Sequence, residues 1–283
     1  MKMRTEQEML DLILGVAKTN ELIRAVSMEG SRANPAAPKD CHQDYDITYY
    51  VTDMTPFYNN PEWASANFGK PLIMQMPEAM RGADNDGGFV YLMLFPDSNR
   101  VDLNITTGMY EDDGEPSITL LDKDDGKGLR PHVPHHDDAI WHIKPTTELC
   151  YYSCCNNFWW CMNNVAKGIA RDELPYAMAA MQWVRSDLSE MLTWYIGIQH
   201  GYNISVGKEG KYFKKYLPQD LYVQFAASYS GSDYDDMWRA VFAMSDLFHA
   251  VAVPVAEFFS FEYPQNDEDG MREYLQKIGE NKQ

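Results

Sequence analysis

The chain has 283 residues, of which 45% are hydrophobic and 13% aromatic, and these values exclude an intrinsically disordered protein and favour two domains. Its 42 acidic residues outnumber 24 basic residues, for a formal net charge of −18. Such a surface repels nucleic-acid phosphates and anionic lipid and attracts cations, although solubility alone could also explain the charge. The chain also lacks a long apolar run and an apolar signal-peptide core, so we expect a cytoplasmic protein without nucleic-acid or membrane partners.

The first half of the chain mixes helical and strand patterns. Thr5 and Glu8 form a capping-box pattern ahead of apolar residues at helical spacing, which predicts a first helix. β-branched and aromatic residues concentrate in four further segments, which predict strands over residues 22–29, 46–51, 89–95 and 100–106. A helical segment, "PEWASANFGK", separates the second of these strands from the third. The mixture predicts an α/β (α+β) N-terminal domain with a mixed sheet.

The composition then changes twice. Residues 111–138 are rich in Asp, Gly and Pro, including "EDDGEP" and "LLDKDDGKG", and predict a polar connector of loops. After Pro145 the apolar residues recur at helical spacing almost throughout. We therefore predict a first domain over residues 1–140 and an all-α C-terminal helical domain over residues 141–283.

Four cysteines lie close together at the start of this helical part: Cys150, Cys154, Cys155 and Cys161. On a helix they would not converge on one tetrahedral zinc ion, because Cys155 points away from the face that carries Cys150 and Cys154. We interpret them as thiols buried in a helical core.

The tripeptide Asp-Tyr-Asp occurs twice, and its surroundings predict different roles for the two copies. In the strand pattern that follows the first copy, Asp44 and Asp46 would project to the same side and could hold one divalent cation. The second copy, Asp233 to Asp235, leads into a helical apolar stripe, where residues two apart diverge. Ser232 or Asp233 is there better interpreted as a helix N-cap.

The first copy has polar neighbours on adjacent predicted strands. Gly30 and Ser31 follow the first strand, where glycine lets backbone N–H groups approach a phosphate closely and serine adds a hydroxyl. Arg32 could add charge-assisted contacts to the same phosphate. Asp102 supplies a third carboxylate from a later strand. Carboxylates beside a phosphate cradle are what metal-assisted nucleotidyl transfer needs, because Mg²⁺ takes a few carboxylates together with phosphate oxygens.

The segments "GSR", "QDYDITYYV" and "VDLNI" resemble the polymerase-β-like nucleotidyltransferases. Similarity is closer still to the aminoglycoside 6-adenylyltransferases (streptomycin adenylyltransferases), through "RTEQEMLDLIL", "RAVSMEGSRANP", "LLDKDDG", "WHIKPT" and "NNFWWCMNNVAKGIARDELPYA". The resemblance implies Mg²⁺-dependent transfer of AMP from ATP to a hydroxyl of streptomycin, which gives antibiotic resistance. It maps Asp44 and Asp46 to the metal-binding pair and Asp102 to the third carboxylate, a candidate metal ligand and general base. Gly30, Ser31 and Arg32 map to the triphosphate cradle.

Streptomycin carries guanidinium groups, so its site should combine carboxylates with flat aromatic rings. Candidates are the acidic connector and the helix face with Phe158, Trp159 and Trp160, although helix packing is the favoured interpretation of each single ring. Lys167 could reach the nucleotide phosphates from the helical domain, or could be a solvated lysine. The chain has Asn157 where the resemblance implies an acidic residue.

Two alternatives stay open at this point. One is a nucleotidyltransferase with another acceptor, such as a different antibiotic or a protein side chain. The other is a non-catalytic protein that binds a cationic ligand without ATP. The sequence also leaves open whether the chain is a monomer or a homodimer.

Overall fold

A computed structural model describes residues 2–82, 87–132 and 136–280 of the chain. The chain divides into two compact units, Met1–Ile140 and Trp141–Gln283. In the first unit, the described helices and strands are α1 (Glu6–Thr19), β1 (Ile23–Glu29), α2 (Gly30–Ala33), β2 (Tyr45–Val51), α3 (Pro61–Phe68), β3 (Ile73–Gln75), β4 (Gly88–Leu94), β5 (Arg100–Thr106) and β6 (Ile118–Asp122).

The described strands of the first unit form one sheet in the order β3-β4-β5-β2-β1-β6. β2 and β5 run parallel, whereas β1–β2, β1–β6, β3–β4 and β4–β5 are antiparallel pairs. The predicted mixed sheet is therefore confirmed. The capping box that begins α1 is also present, because the Thr5 hydroxyl accepts from the Glu8 N–H and the Glu8 carboxylate accepts from the Thr5 N–H.

The two faces of the sheet differ because side chains alternate along each strand. One face is apolar and packs in the same core as Met9 and Ile13 of α1 and Phe68 of α3. On β2 this face carries Tyr45, Ile47, Tyr49 and Val51, all buried. The opposite face of the central strands carries polar side chains, so the functional groups lie on a rigid surface whose reverse side is the hydrophobic core.

One part of the connector was predicted wrongly. Residues 118–122, inside the segment interpreted as loops, form β6, which pairs antiparallel with β1 at the edge of the sheet. The apolar residues Ile118, Leu120 and Leu121 pack against the sheet's core. The run is only five residues long and leads into the turn-forming "DKDDGKG", so its strand character emerges from pairing with β1 rather than from local pattern.

The second unit is helical throughout its described secondary structure. Its helices are α4 (Glu148–Ala170), α5 (Leu174–His200), α6 (Phe213–Tyr216), α7 (Gln219–Ala227), α8 (Tyr234–Phe259) and α9 (Gln265–Glu280). The second Asp-Tyr-Asp begins α8, where the Asp233 side chain accepts from the Asp236 N–H at 3.0 Å. The predicted helix cap is confirmed.

The core of the helical unit is built mainly from α4, α5 and α8. Cys154 and Cys155 are buried in it, as predicted, but Cys150 is exposed and Cys161 only half-buried. Cys150 stands in the first turn of α4, on a face that the core does not cover. Among the described helices, α8 alone is long and apolar enough to cross a bilayer, and half of its most apolar window is buried. A core helix of a globular protein has the same length and composition.

A buried carboxylate ties α9 to the rest of the helical unit. Glu268 is 3% exposed and accepts from His249 Nδ1 at 2.7 Å, Tyr263 Oη at 2.6 Å and Arg272 Nε at 2.6 Å. Burial acts to raise the pKa of Glu268, but the hydrogen bonds from Tyr263, Arg272 and His249 outweigh it and place the pKa below its usual range.

We therefore expect Glu268→Leu to lower the free energy of unfolding by about 1–3 kcal/mol, because three partly buried donors lose their shared buried acceptor. Urea denaturation of the whole chain would measure the change. Glu273→Leu is the matched control, since Glu273 is an exposed carboxylate on the same helix, and should change stability by less than about 0.5 kcal/mol. Equal losses in the two variants would contradict the assigned role of Glu268.

Candidate active site

Three carboxylates stand side by side on the polar face of the sheet. Glu29 of β1 is paired with Asp46 of β2, and Asp46 is paired with Asp102 of β5. Adjacent strands lie about 4.8 Å apart, so this row places three acidic side chains on neighbouring positions of one surface. Asp44 lies two residues before Asp46 and one residue before β2 begins. The structure thus brings together Asp44, Asp46 and Asp102, and adds Glu29 to them.

The turn after β1 touches this row directly. Gly30 has φ +66°, and a β-carbon built on it would overlap Oδ2 of Asp46. Glycine is thus required twice, once for the left-handed backbone and once for the close approach of the Asp46 carboxylate. Ser31 follows in the four-residue helix α2. The predicted cradle residues Gly30 and Ser31 therefore adjoin the proposed metal-binding pair.

Arg32 is held by protein groups. Its guanidinium donates to the backbone carbonyls of Gln43 at 2.9 Å and Asp44 at 3.1 Å, and it lies 3.8 Å from the centre of the Tyr45 ring. A salt bridge of 3.4 Å joins it to Glu6. In this arrangement Arg32 fixes the backbone that carries Asp44, and its contact with a phosphate stays a prediction.

Arg100 provides the positive charge nearest to the carboxylates. It lies on the same face of β5 as Asp102, and donates through Nε and Nη2 to the two Asp102 oxygens at 2.7 and 2.6 Å. Its Nη1 lies 3.4 Å from Asp44 Oδ2. One cationic group therefore reaches two of the three predicted metal ligands at once.

The pKa values of the carboxylates on this face reflect their burial and their mutual repulsion. The pKa of Asp46 is raised to about 6, mainly by burial and then by the charges of Asp102 and Asp44. Burial also raises the pKa of Asp44, although Arg100 opposes the effect. Carboxylates that repel one another and are partly desolvated gain from a divalent cation between them.

The donor set fits Mg²⁺, because it consists of carboxylate oxygens on a fixed surface and a guanidinium already bridges two of them. Asp44, Asp46 and Asp102 would hold the ion. When bound, Mg²⁺ neutralises the phosphates of a nucleotide and stabilises charge that develops during transfer.

Comparison with known proteins shows the family of the chain. Residues 3–278 match the family model described as streptomycin adenylyltransferase. The aminoglycoside 6-adenylyltransferase of Bacillus subtilis (strain 168) is 38% identical over 285 residues, covering 98% of each chain. The aminoglycoside 6-adenylyltransferase of Campylobacter jejuni is 36% identical over 271 residues, covering 94% of this chain and 93% of that protein.

The chain belongs to the streptomycin adenylyltransferase family. It is therefore an enzyme of the nucleotidyltransferase class, as the sequence resemblance predicted. Among solved structures, the crystal structure of an aminoglycoside 6-adenyltransferase from Bacillus subtilis is similar to it at 32% identity and a TM-score of 0.48, covering 98% of this chain and 99% of that chain.

The residues of the helical unit that the family resemblance singled out differ in their surroundings. Phe158 and Trp159 are buried, with Phe158 stacked 3.7 Å from the Phe248 ring, so both are core residues, in agreement with the packing interpretation that the sequence favoured for them. Trp160 is 67% exposed and available to a ligand. Lys167 is exposed in the last turn of α4, where a positive charge favours the helix dipole, and its role at the nucleotide stays a prediction.

Asn157 has a direct acidic partner. Its Nδ2 donates to Asp187 Oδ2 at 2.8 Å. The pKa of Asp187 is raised to about 6 by burial, in spite of this hydrogen bond. An acidic residue at position 157, as the family resemblance implies, would bring a second carboxylate close to Asp187. The asparagine therefore replaces a repulsive pair with a hydrogen-bonded one.

Glu29 and Arg100 are site residues that the sequence interpretation missed. The sequence around each of them contained a signal of its position. Arg100 precedes Asp102 by two residues in a predicted strand, and Glu29 directly precedes Gly30 at the end of another. Period-two alternation already places Arg100 on the face of Asp102. The position of Glu29 opposite Asp46 depends on the strand register, which the sequence does not reveal.

Proposed function

We propose that this enzyme transfers AMP from ATP to a hydroxyl of a cationic aminoglycoside, in a Mg²⁺-dependent reaction that inactivates the antibiotic. Streptomycin is the first candidate for the acceptor. The observation that carries the proposal is the convergence of Asp44, Asp46 and Asp102 on one face of the sheet, next to Gly30. Aminoglycosides are the substrates named for the relatives in Bacillus subtilis and Campylobacter jejuni.

In the proposed reaction, the acceptor oxygen forms a bond to the α-phosphorus of ATP while the bond from that phosphorus to the bridging oxygen of the β-phosphate breaks. Diphosphate leaves, and the acceptor hydroxyl loses its proton. Asp102 is the candidate base for that proton, because it lies in the carboxylate row beside Asp46. The products are the O-adenylylated acceptor, diphosphate and a proton.

The proposed nucleotide contacts follow from the same face. Gly30 and Ser31 would present backbone N–H groups and a hydroxyl to the triphosphate. Arg32 would hold the Asp44 backbone in place. Lys167 would add a positive charge from the helical unit. On this proposal residues 1–140 bind Mg-ATP, and residues 141–283 supply much of the acceptor site.

The helical unit carries groups suited to a cationic acceptor. Trp160 presents an exposed ring, and Asp187 and Glu190 lie close together with the Cys154 thiol between α4 and α5. Burial raises the pKa of both carboxylates, so a cation would favour their charged forms. We expect the enzyme to act in the cytoplasm, where ATP is available, without nucleic-acid or membrane partners, as a monomer or homodimer.

A diphosphate-release assay tests the proposal. With ATP and Mg²⁺, we expect diphosphate release to depend on streptomycin, to be much slower with spectinomycin or kanamycin, and to stop when EDTA removes the metal. Turnover with kanamycin but not with streptomycin would identify kanamycin as the acceptor and would leave the proposed type of reaction unchanged. Binding of streptomycin without any diphosphate would instead support the non-catalytic alternative.

A further inference from the structure

The polar face of the sheet contains a cavity of about 250 Å³ beyond the carboxylate row. Its floor comes from the three central strands, through Glu29, Thr48, Tyr50, Asn104 and Thr106. Its wall comes from the loop between β5 and β6. At ~30 Å³ per water molecule, the volume corresponds to about eight waters, enough for one substituted six-membered ring.

The cavity and the predicted phosphate cradle lie on opposite sides of the carboxylates. Strand pairing puts Thr48 beside Asn104 and Tyr50 beside Thr106, two and four residues past Asp46. Gly30 follows Glu29 in the other direction, since β1 is antiparallel to β2. In an in-line displacement the acceptor oxygen and the leaving diphosphate stand on opposite sides of the phosphorus. With diphosphate held at Gly30, the acceptor belongs on the cavity side.

The cavity floor offers oriented hydroxyl groups. Arg130 is 1% exposed and donates to Tyr50 Oη at 3.1 Å, Ser117 Oγ at 2.7 Å and Thr119 Oγ1 at 2.9 Å. Tyr50 and Ser117 both line the cavity. Because their oxygens accept from a buried guanidinium, their own O–H protons are directed elsewhere and can donate to a ligand. Such donors suit a polyhydroxylated ligand.

The cavity also carries a strong negative charge. Glu29, Glu111, Asp113 and Glu115 all line it. Within the described parts of the chain, none of the four has a Lys, Arg or His nitrogen within 4.0 Å. Arg130, the positive charge beneath the floor, is buried and is not a lining residue. The ligand that complements this charge is a cation.

We propose that this cavity binds the reacting ring of the acceptor, a polyhydroxylated six-membered ring that carries guanidinium or ammonium groups. The floor hydroxyls hydrogen-bond the ring hydroxyls, and Glu111, Asp113 and Glu115 pair with its cationic groups. This assignment rests on the proposed function, which it extends by placing the reacting ring of the acceptor, rather than the whole acceptor, on the first unit at the edge of the catalytic row.

The double variant Glu111→Gln/Glu115→Gln tests the assignment. Calorimetric titration with streptomycin should show its Kd raised on the order of tenfold, because two attractive charges are lost. The KM for ATP should stay unchanged, since neither residue lies on the cradle side. The control is Glu62→Gln/Glu257→Gln, which removes two exposed helical carboxylates elsewhere and should leave the streptomycin Kd at the wild-type value.

Glu115→Lys gives a second measurement if the double variant unfolds at a lower temperature than the wild type, and should weaken streptomycin binding further by repulsion. An unchanged streptomycin Kd in both cavity variants, with normal wild-type turnover, would overturn the cavity assignment and leave the proposed function standing. If the wild type released no diphosphate with any aminoglycoside, the proposed function and the cavity assignment would both be wrong.

Discussion

Asp46→Asn is expected to abolish AMP transfer and at the same time to make the protein more stable. The substitution removes a predicted metal ligand, so we expect kcat/KM to fall by at least ~10³-fold, the scale seen when an electrostatic group of the transition state is lost. The stability gain follows because the carboxylate is partly buried next to Asp102 and Asp44. We expect the free energy of unfolding at pH 8, without Mg²⁺, to rise by about 1–2 kcal/mol after allowance for solvent screening.

The stability gain of Asp46→Asn should increase with pH. The folded-state pKa of Asp46 is raised from 3.8 to about 6, so the folded protein binds a proton more tightly than the unfolded chain does. The contribution of Asp46 to the stability of the wild type therefore falls as pH rises from about 4 to 6, while the Asn variant lacks this titration. The two proteins should be equally stable near pH 4 and differ fully above pH 6. Urea denaturation across this range measures the difference.

The second Asp-Tyr-Asp supplies the matched control. Asp233→Asn makes the same chemical change in the same tripeptide, at a helix N-cap where asparagine serves as well as aspartate. It should leave turnover and stability near the wild-type values. Normal turnover by Asp46→Asn, or an equal loss in Asp233→Asn, would remove the metal-site assignment. Asp44→Asn should also abolish transfer.

Gly30→Ala should be as damaging to catalysis although it removes no chemical group. The new β-carbon would overlap the Asp46 carboxylate, and alanine disfavours the φ of +66°. Displacing a catalytic group by about 1 Å can cost ~10²-fold in rate, and the displaced turn also carries the phosphate cradle. We therefore expect a loss of ~10²-fold or more in kcat/KM, together with about 1–2 kcal/mol of backbone strain.

Gly201→Ala separates the effect of the contact with Asp46 from the effect of backbone strain. Gly201 also has a positive φ, of 78°, but a β-carbon there would meet nothing within 4 Å. Its alanine variant should lose about 1 kcal/mol of stability and keep full turnover. If Gly30→Ala kept wild-type kcat/KM while losing the same stability as Gly201→Ala, the contact between Gly30 and Asp46 would have no catalytic importance.

Much of the first unit could be predicted from sequence because alternation is a local property. The pattern of β2 and β5 placed Asp46 and Asp102 on the polar face before any pairing was known. β6 escaped prediction because its five residues become a strand by pairing with β1. The apolar spacing of α4 identified a helix, but it did not separate the buried Trp159 from the exposed Trp160. That distinction depends on which helices pack against α4.

The surroundings of Arg32 show a different limit. The sequence suggests that an arginine after Gly-Ser could contact a phosphate, and only the fold reveals that its donors reach the carbonyls of Gln43 and Asp44. The cavity beyond the carboxylate row could not be predicted from the sequence either. Its floor comes from three strands and its wall from the connector, so no single segment carries its pattern.

The row of acidic side chains also bears on how faithfully the sheet assembles. Sliding β5 by one residue against β2 would turn Asp102 toward the apolar side, among side chains such as Leu103 and Ile105 that now pack there. An isolated carboxylate in such a core costs far more than the repulsion it experiences in the native row. The acidic groups that weaken the correct sheet would thus weaken its misaligned competitors more. The same few acidic residues would then support both the proposed reaction and the correct register of the sheet.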